Sequence, residues 1–185
     1  MLNMNKQSDQ YKNGTFTWFI GEVKDIDDPK NLNRVRVMAY GYYDGVEKDS
    51  ELPWATVMMP VTSASIKGNG GNHHLEKGSW VVGFFRDGPS AQDPVVMGSI
   101  ATQTDDVQDI PSGSSTTNKV HHTKAGHKIE FENKEGDEKI TVQHAKGATI
   151  TIDKDNNVSI ANGGNTNITS SGAITLTSAE KTTII

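Results

Sequence analysis

The residues best suited to chemistry in this 185-residue chain are six histidines and a few clustered carboxylates. The histidines are His73, His74, His121, His122, His127 and His144. None stands in a His-Glu-x-x-His pattern, and His73-His74 lies in a Gly/Asn-rich stretch that reads as a loop. No metal site is expected from them. Asp25, Asp27 and Asp28 could supply paired carboxylates for acid/base work, but they run straight into Pro29. That placement predicts a turn with solvated charges. Asp153-Lys154-Asp155-Asn156-Asn157 opens like a calcium loop, yet Val158 stands where the sharp turn needs Gly and Gly164 where the bidentate Glu belongs. It reads as a polar turn. Gly68-Asn69-Gly70-Gly71 lacks the Lys-Ser/Thr of a phosphate loop, and there is no Gly-x-Ser-x-Gly elbow. No catalytic residue and no cofactor is assigned, and the chain is expected not to be an enzyme.

The elements around these residues carry more information. Residues 1–15 read as a polar arm without the apolar core of a signal peptide, so export by the general secretory route is not expected. Residues 16–100 read as five short strands: Thr17–Lys24, Arg34–Tyr40, Trp54–Pro60, Ser79–Phe85 and Pro94–Ile100. Turn-formers separate them, among them Asp27-Asp28-Pro29 and Asp87-Gly88-Pro89. Five strands in this length suit a small closed barrel of the OB type; an SH3-like barrel or a small sandwich would read almost the same. Trp18, Trp54 and Trp80 each fall in a strand, where barrel core is the default expectation. Residues 101–119, rich in Ser, Thr, Asp and Gly, read as a linker.

From residue 120 to 185 apolar or threonine residues recur in i, i+2 pairs: Ile129/Phe131, Ile140/Val142, Ile150/Ile152, Val158/Ile160, Thr166/Ile168, Ile174/Leu176 and Thr182/Ile184. The steps between pairs are 11, 10, 8, 8, 8 and 8 residues. An i, i+2 pair lies on one face of a strand, and a fixed period points to a repeated structural unit. Eight residues make a strand and a turn, too little for one coil of a single-chain β-helix. Three chains wound about one axis would close each layer and bury the stripe. The competing arrangement is a single-chain β-meander. The expected fold class is therefore all-β: an N-terminal OB barrel followed by a trimeric intertwined β-helix over residues 120–185. Its core is expected to hold Ile150, Ile152, Val158, Ile160, Ile168, Ile174, Leu176 and Ile184.

Composition limits the remaining functions. There is no cysteine, and the formal net charge is −5. Residues 1–100 carry 10 basic against 12 acidic side chains, and residues 101–185 carry 8 against 11. Phosphate-backbone binding needs a basic stripe, so a nucleic-acid partner is not expected.

Several motifs also resemble a known family. Trp18-Phe19-Ile20-Gly21-Glu22-Val23, Leu32-Asn33-Arg34-Val35-Arg36-Val37, Leu52-Pro53-Trp54-Ala55 and Gly78-Ser79-Trp80-Val81-Val82-Gly83-Phe84-Phe85 occur in the order seen in central spike proteins of T-even-like phage baseplates. Ala125-Gly126-His127-Lys128-Ile129-Glu130-Phe131 is similar to type VI secretion spikes of the VgrG group. The resemblance implies a homotrimer in the virion tail baseplate, docked on a ring-shaped hub protein, with a tip protein possible at the needle end. It implies that the needle pierces the target cell envelope when the sheath contracts. It also implies a departure, because the best-known T-even member has a lysozyme domain where this chain has only residues 101–119. Related spikes hold a metal at the tip through axial histidines, whereas no histidine stands in the final octads here. The alternative from another class is an OB-type binding module for single-stranded nucleic acid or oligosaccharide, with the tryptophans stacking on bases or sugars.

Overall fold

In the computed structural model, residues 16–104 and 106–179 are described. The chain divides into two compact units, at Met1–Asp109 and Ile110–Ile185. The first is a closed barrel. Its strands are β1 (Thr17–Asp25), β2 (Val35–Ala39), β3 (Trp54–Val57), β4 (Trp80–Phe85) and β5 (Pro94–Ile100), hydrogen-bonded around the circle in the order β1-β2-β3-β5-β4. All contacts are antiparallel except β3 with β5, which run parallel through Thr56 opposite Val95 and Val57 opposite Val96. This is the five-stranded OB arrangement, and the strands lie within a few residues of their sequence-predicted positions.

Alternation explains which side chains fill the barrel. Phe19 and Val23 on β1, Val35, Val37 and Ala39 on β2, Val81 and Phe85 on β4 and Val96 on β5 point inward and are almost fully buried. Phe19 and Phe85 pack at a 4.8 Å ring separation. Two inward positions hold no side chain at all. A Cβ added at Gly83 would stand 2.5 Å from Cζ of Phe19 and closer still to the Val95 carbonyl; one at Gly21 would meet Val37 and the Met38 carbonyl. Register shifts at Val23/Asp25 and at Val82/Gly83 bend the sheet where it curls on itself.

The tryptophans do not join this core. Trp18 is 56% exposed, and Trp54 and Trp80 are half-buried on the outer surface. Each stands next to an inward residue, Phe19, Ala55 or Val81, and strand alternation therefore turns it outward. Trp80 packs on Tyr40, and Trp54 lies under the guanidinium groups of Arg34 and Arg36, at 5.4 and 4.6 Å.

Asp28 also departs from the sequence expectation, because it is only 8% exposed. Its carboxylate gathers the β1–β2 connection: it accepts from the backbone N–H groups of Lys30, Leu32 and Arg34 at 3.0, 2.9 and 3.3 Å. It also accepts from Arg34 Nε at 3.0 Å and Nη2 at 2.6 Å. The fork-like pairing with Arg34 and the three amide donors hold its carboxyl well below the usual carboxylate range. With this anchor, Asn31 and Asn33 can sit at φ of 51° and 59°.

Between the barrel and the next sheet, the predicted linker carries a short hairpin, β6 (Gln103–Thr104) with β7 (Val107–Gln108). The Asp109 carboxylate fastens its base, accepting from Thr102 N at 3.1 Å and Oγ1 at 2.6 Å.

The second unit is a five-stranded antiparallel meander: β8 (Asn118–His122), β9 (Lys128–Glu132), β10 (Lys139–Gln143), β11 (Thr149–Ile152) and β12 (Val158–Ala161). Residues 162–179 form no regular strand among the described residues. The pair Thr182/Ile184, including the predicted core residue Ile184, lies outside the described residues.

Two outcomes follow for the barrel, whose unfolding the three tryptophans report selectively because all lie in it. Gly83→Ala should destabilise it by about 1–3 kcal/mol through overpacking, measured by denaturant titration of tryptophan fluorescence. A carboxyl whose folded pKa is depressed stabilises the fold above its unfolded pKa and loses that contribution as pH falls toward the folded value. Barrel stability should therefore drop below about pH 4, the unfolded aspartate pKa. Asp28→Asn should lower the melting temperature at neutral pH and flatten that acid dependence.

Candidate assembly surface

The meander's pairing brings its aliphatic residues together on one face. Ile129 stands opposite Val142, Val142 opposite Ile150, and Ile150 opposite Ile160. Beside this row run Phe131, Ile140, Ile152 and Val158, each opposite the next. The register is set by alternation, since a one-residue slip on any strand would move its pair to the other face. Tight turns hold it there. In the β11–β12 turn the Asp153 carboxylate accepts from Asp155 N at 3.0 Å, Asn157 N at 2.9 Å and Asn157 Nδ2 at 2.9 Å, which keeps its carboxyl below the ordinary range. The calcium-like motif is thus a self-satisfied turn.

These eight side chains remain 39 to 67% exposed. The opposite face, which carries Lys128, Glu130, Glu132, Thr141, Gln143, Thr149 and Thr151, is the more sheltered of the two. There Glu130 pairs with Lys128 and accepts from Asn118 Nδ2 at 2.5 Å; the lysine contact, then the asparagine, hold its carboxyl low. A single chain therefore leaves its oily face to water and tucks in its polar one. Full burial of such side chains contributes about 1.5–3 kcal/mol each, so covering the remaining half of eight is worth several kcal/mol per chain.

Of the predicted core residues, the sheet brings Ile150, Ile152, Val158 and Ile160 together. Ile168, Ile174 and Leu176 are exposed outside any strand. One detail differs from the eight-residue column inferred from the sequence: the β11–β12 hairpin places Val158, not Ile160, opposite Ile152. A hairpin reverses direction, so the separation of facing residues falls along it, from ten at Ile150/Ile160 to six at Ile152/Val158, and a constant eight-residue step does not stay in line across it.

The other candidates resolve into structural roles. Asp25 meets Arg36 Nε at 3.6 Å, and Asp27 N donates to Asp25 Oδ1. Arg36 also donates from Nη1 to the carbonyls of Asp49 and Ser50. The guanidinium groups that flank Trp54 are thus committed to Asp25, Asp28 and backbone oxygens, and do not form a phosphate track. His74 bonds within its loop, to Asn72. His127 and His144, 17 residues apart in sequence, lie with ring centroids 4.5 Å apart. Sequence reasoning missed this pairing, which only the meander's register creates. It also missed Tyr43, whose buried hydroxyl donates to the Ala91 carbonyl and is pushed well above its ordinary pKa by burial. Among the described residues, no group of three or more His, Cys, Asp or Glu is placed to hold a metal ion.

Comparison with known proteins gives these features a context. A family model described as the Gp5 N-terminal OB domain matches residues 38–172, running from β2 through the meander. The pre-baseplate central spike protein Gp5 of Enterobacteria phage T4 is 37% identical over 79 residues, which are 38% of this chain and 14% of that protein. Protein Gp5 of Vibrio phage KVP40 is 33% identical over 107 residues, 54% of this chain and 24% of that protein. The chain thus matches at most about a quarter of the length of these relatives.

Proposed function

The chain belongs to the family of the Gp5 N-terminal OB domain, that of T4-like phage central spike proteins, and from this we propose that it is a structural part of the baseplate central spike, assembled as a homotrimer through its meander face. The observation that carries the reading is the exposed row of Ile, Val and Phe side chains on β9 to β12. A sheet left with its apolar face in water has an incomplete core, and further copies of the same sheet offer a matching surface.

The octad segment supports the same reading. Within this segment Gly164 N donates to Asn162 Oδ1 and Gly172 N to Ser170 Oγ, bonds local to their own turns. Its aliphatics are exposed, and its period matches that of β11–β12. Three chains would supply one another's strand partners, extending the meander into an intertwined needle whose core includes Ile168, Ile174, Leu176 and Ile184. The barrel, closed and self-sufficient, would dock on a ring-shaped hub. The needle would transmit the force of sheath contraction to the target envelope. This role is mechanical and requires no catalytic group.

Native mass spectrometry of the full chain should give three times the 20.1 kDa chain mass. Ile150→Asp would set three like charges into one desolvated layer, at a cost of several kcal/mol, and should yield monomer. Thr151→Asp, on the opposite face, should leave the trimer intact. A monomer from the unmodified chain at micromolar concentration would overturn the assignment.

A further inference from the structure

The tripeptide Asn-Gly-Gly occurs twice, at Asn69-Gly70-Gly71 and at Asn162-Gly163-Gly164. An asparagine followed by glycine can react with its own backbone, because no Cβ on the glycine blocks its nitrogen from the side-chain amide carbon. By sequence the two sites are equivalent, and only their surroundings separate them. At the first, the backbone is clamped. Asn69 N donates to the Ile66 carbonyl at 2.9 Å, and the Asn69 carbonyl accepts from Ile66 N at 3.3 Å, which fixes the peptide on both sides of the residue. Gly71 N donates to Ser63 Oγ at 3.1 Å, and that hydroxyl donates to the Gly71 carbonyl at 3.1 Å. Gly70 is wedged between these contacts, since a Cβ there would collide with Ser63 Oγ.

The second site is open. β12 ends at Ala161, and the backbone of Asn162 and Gly163 makes no hydrogen bond to any described residue. Both residues are exposed, and a Cβ at Gly163 would meet nothing within 4 Å. The side chain, in contrast, is held in place. Its Oδ1 accepts from Gly164 N at 3.2 Å, and its Nδ2 donates to Thr166 Oγ1 at 2.7 Å. The ring closed by the first of these bonds contains Asn162 Cγ and Gly163 N, the two atoms that would have to join. A donor on Oδ1 also draws electron density from Cγ and would stabilise the oxyanion that forms on attack. The free backbone leaves Gly163 N unhindered while the amide carbon is kept beside it.

We propose that Asn162 is a site of spontaneous deamidation, selected over Asn69 by its open turn. Gly163 N gives up its proton to solvent and bonds to Asn162 Cγ. The Cγ–Nδ2 bond breaks, and the nitrogen leaves as ammonia with a proton taken from water. The five-membered succinimide takes up one water at either carbonyl, giving aspartate or isoaspartate. Water is the only co-reactant. Each event replaces a neutral amide by a carboxylate, and the isoaspartyl product also adds one carbon to the main chain between Ile160 and Thr166, inside the run of eight-residue steps. The inference is independent of the spike assignment.

The full chain can be aged at mildly alkaline pH and digested with trypsin, which puts Asn69 and Asn162 in separate peptides, cut at Lys67 and Lys77 and at Lys154 and Lys181. Mass spectrometry should show the amide-to-acid gain accumulating several-fold faster at Asn162 than at Asn69. Part of the product should accept a methyl group from an isoaspartate methyltransferase, the mark of the succinimide route. In guanidinium, where neither tripeptide keeps its surroundings, the two rates should converge. Gly163→Ala, which fits the open turn, should slow Asn162 several-fold and leave Asn69 unchanged. Equal rates in the folded chain, a difference that survives denaturation, or an unaffected Gly163→Ala variant would overturn the proposal.

Discussion

The rest of the structure turns on a mismatch between pattern and coverage. Hydrogen bonding within one chain is enough to align Ile129, Val142, Ile150 and Ile160 in a row, because antiparallel register and tight turns are local properties. Among the described residues of the second unit, the row remains about half exposed. The sheet is fully specified as a sheet and unfinished as a core, and this is what the proposed association of copies would complete. The apolar face and the repeat that follows it are thus two expressions of one requirement.

The barrel meets the opposite condition. Its side chains alternate so that one chain fills the interior, and where the wall crowds, at Gly21 and Gly83, side chains are omitted. Asp28 satisfies the β1–β2 connection from within, pinning three backbone N–H groups and Arg34 together. The outward tryptophans are engaged locally as well, Trp54 by two arginines and Trp80 by Tyr40. Such a unit has a core that one chain completes.

How much of this was legible in the sequence depended on the range of the interaction. Strand positions in the barrel could be read because β-branched runs and turn residues are local signals. The face shared by Ile150, Ile152, Val158 and Ile160 could be read because period two fixes sidedness. Three features could not. Asp28 looks like any acid before a proline, and only the return of the chain at Arg34 gives it partners. Hydrophobicity puts the tryptophans inside, but the register that buries Phe19, Ala55 and Val81 turns them outward. The contact of His127 with His144 depends on the register of β9 against β10. In each case the deciding fact is a distance between residues that composition does not encode.

The change of step along the repeat can be understood in the same physical terms. Steps of 11 and 10 residues leave room for a five-residue strand and a full turn, and there the chain makes hairpins with itself, β9 to β11. The strands shorten to four residues at β11 and again at β12, which follows by a step of 8, and beyond Ala161 no further hairpin forms among the described residues. A four-residue strand offers few backbone bonds on either side, and the turns of residues 162–164 and 170–172 consume much of each octad. Self-pairing therefore becomes progressively less rewarding along the chain while the aliphatic stripe continues unchanged. In the assembly proposed above, that gradient would favour partners from other chains late in the sequence and self-pairing early, with the folded sheet as the platform from which strands of different copies would interleave.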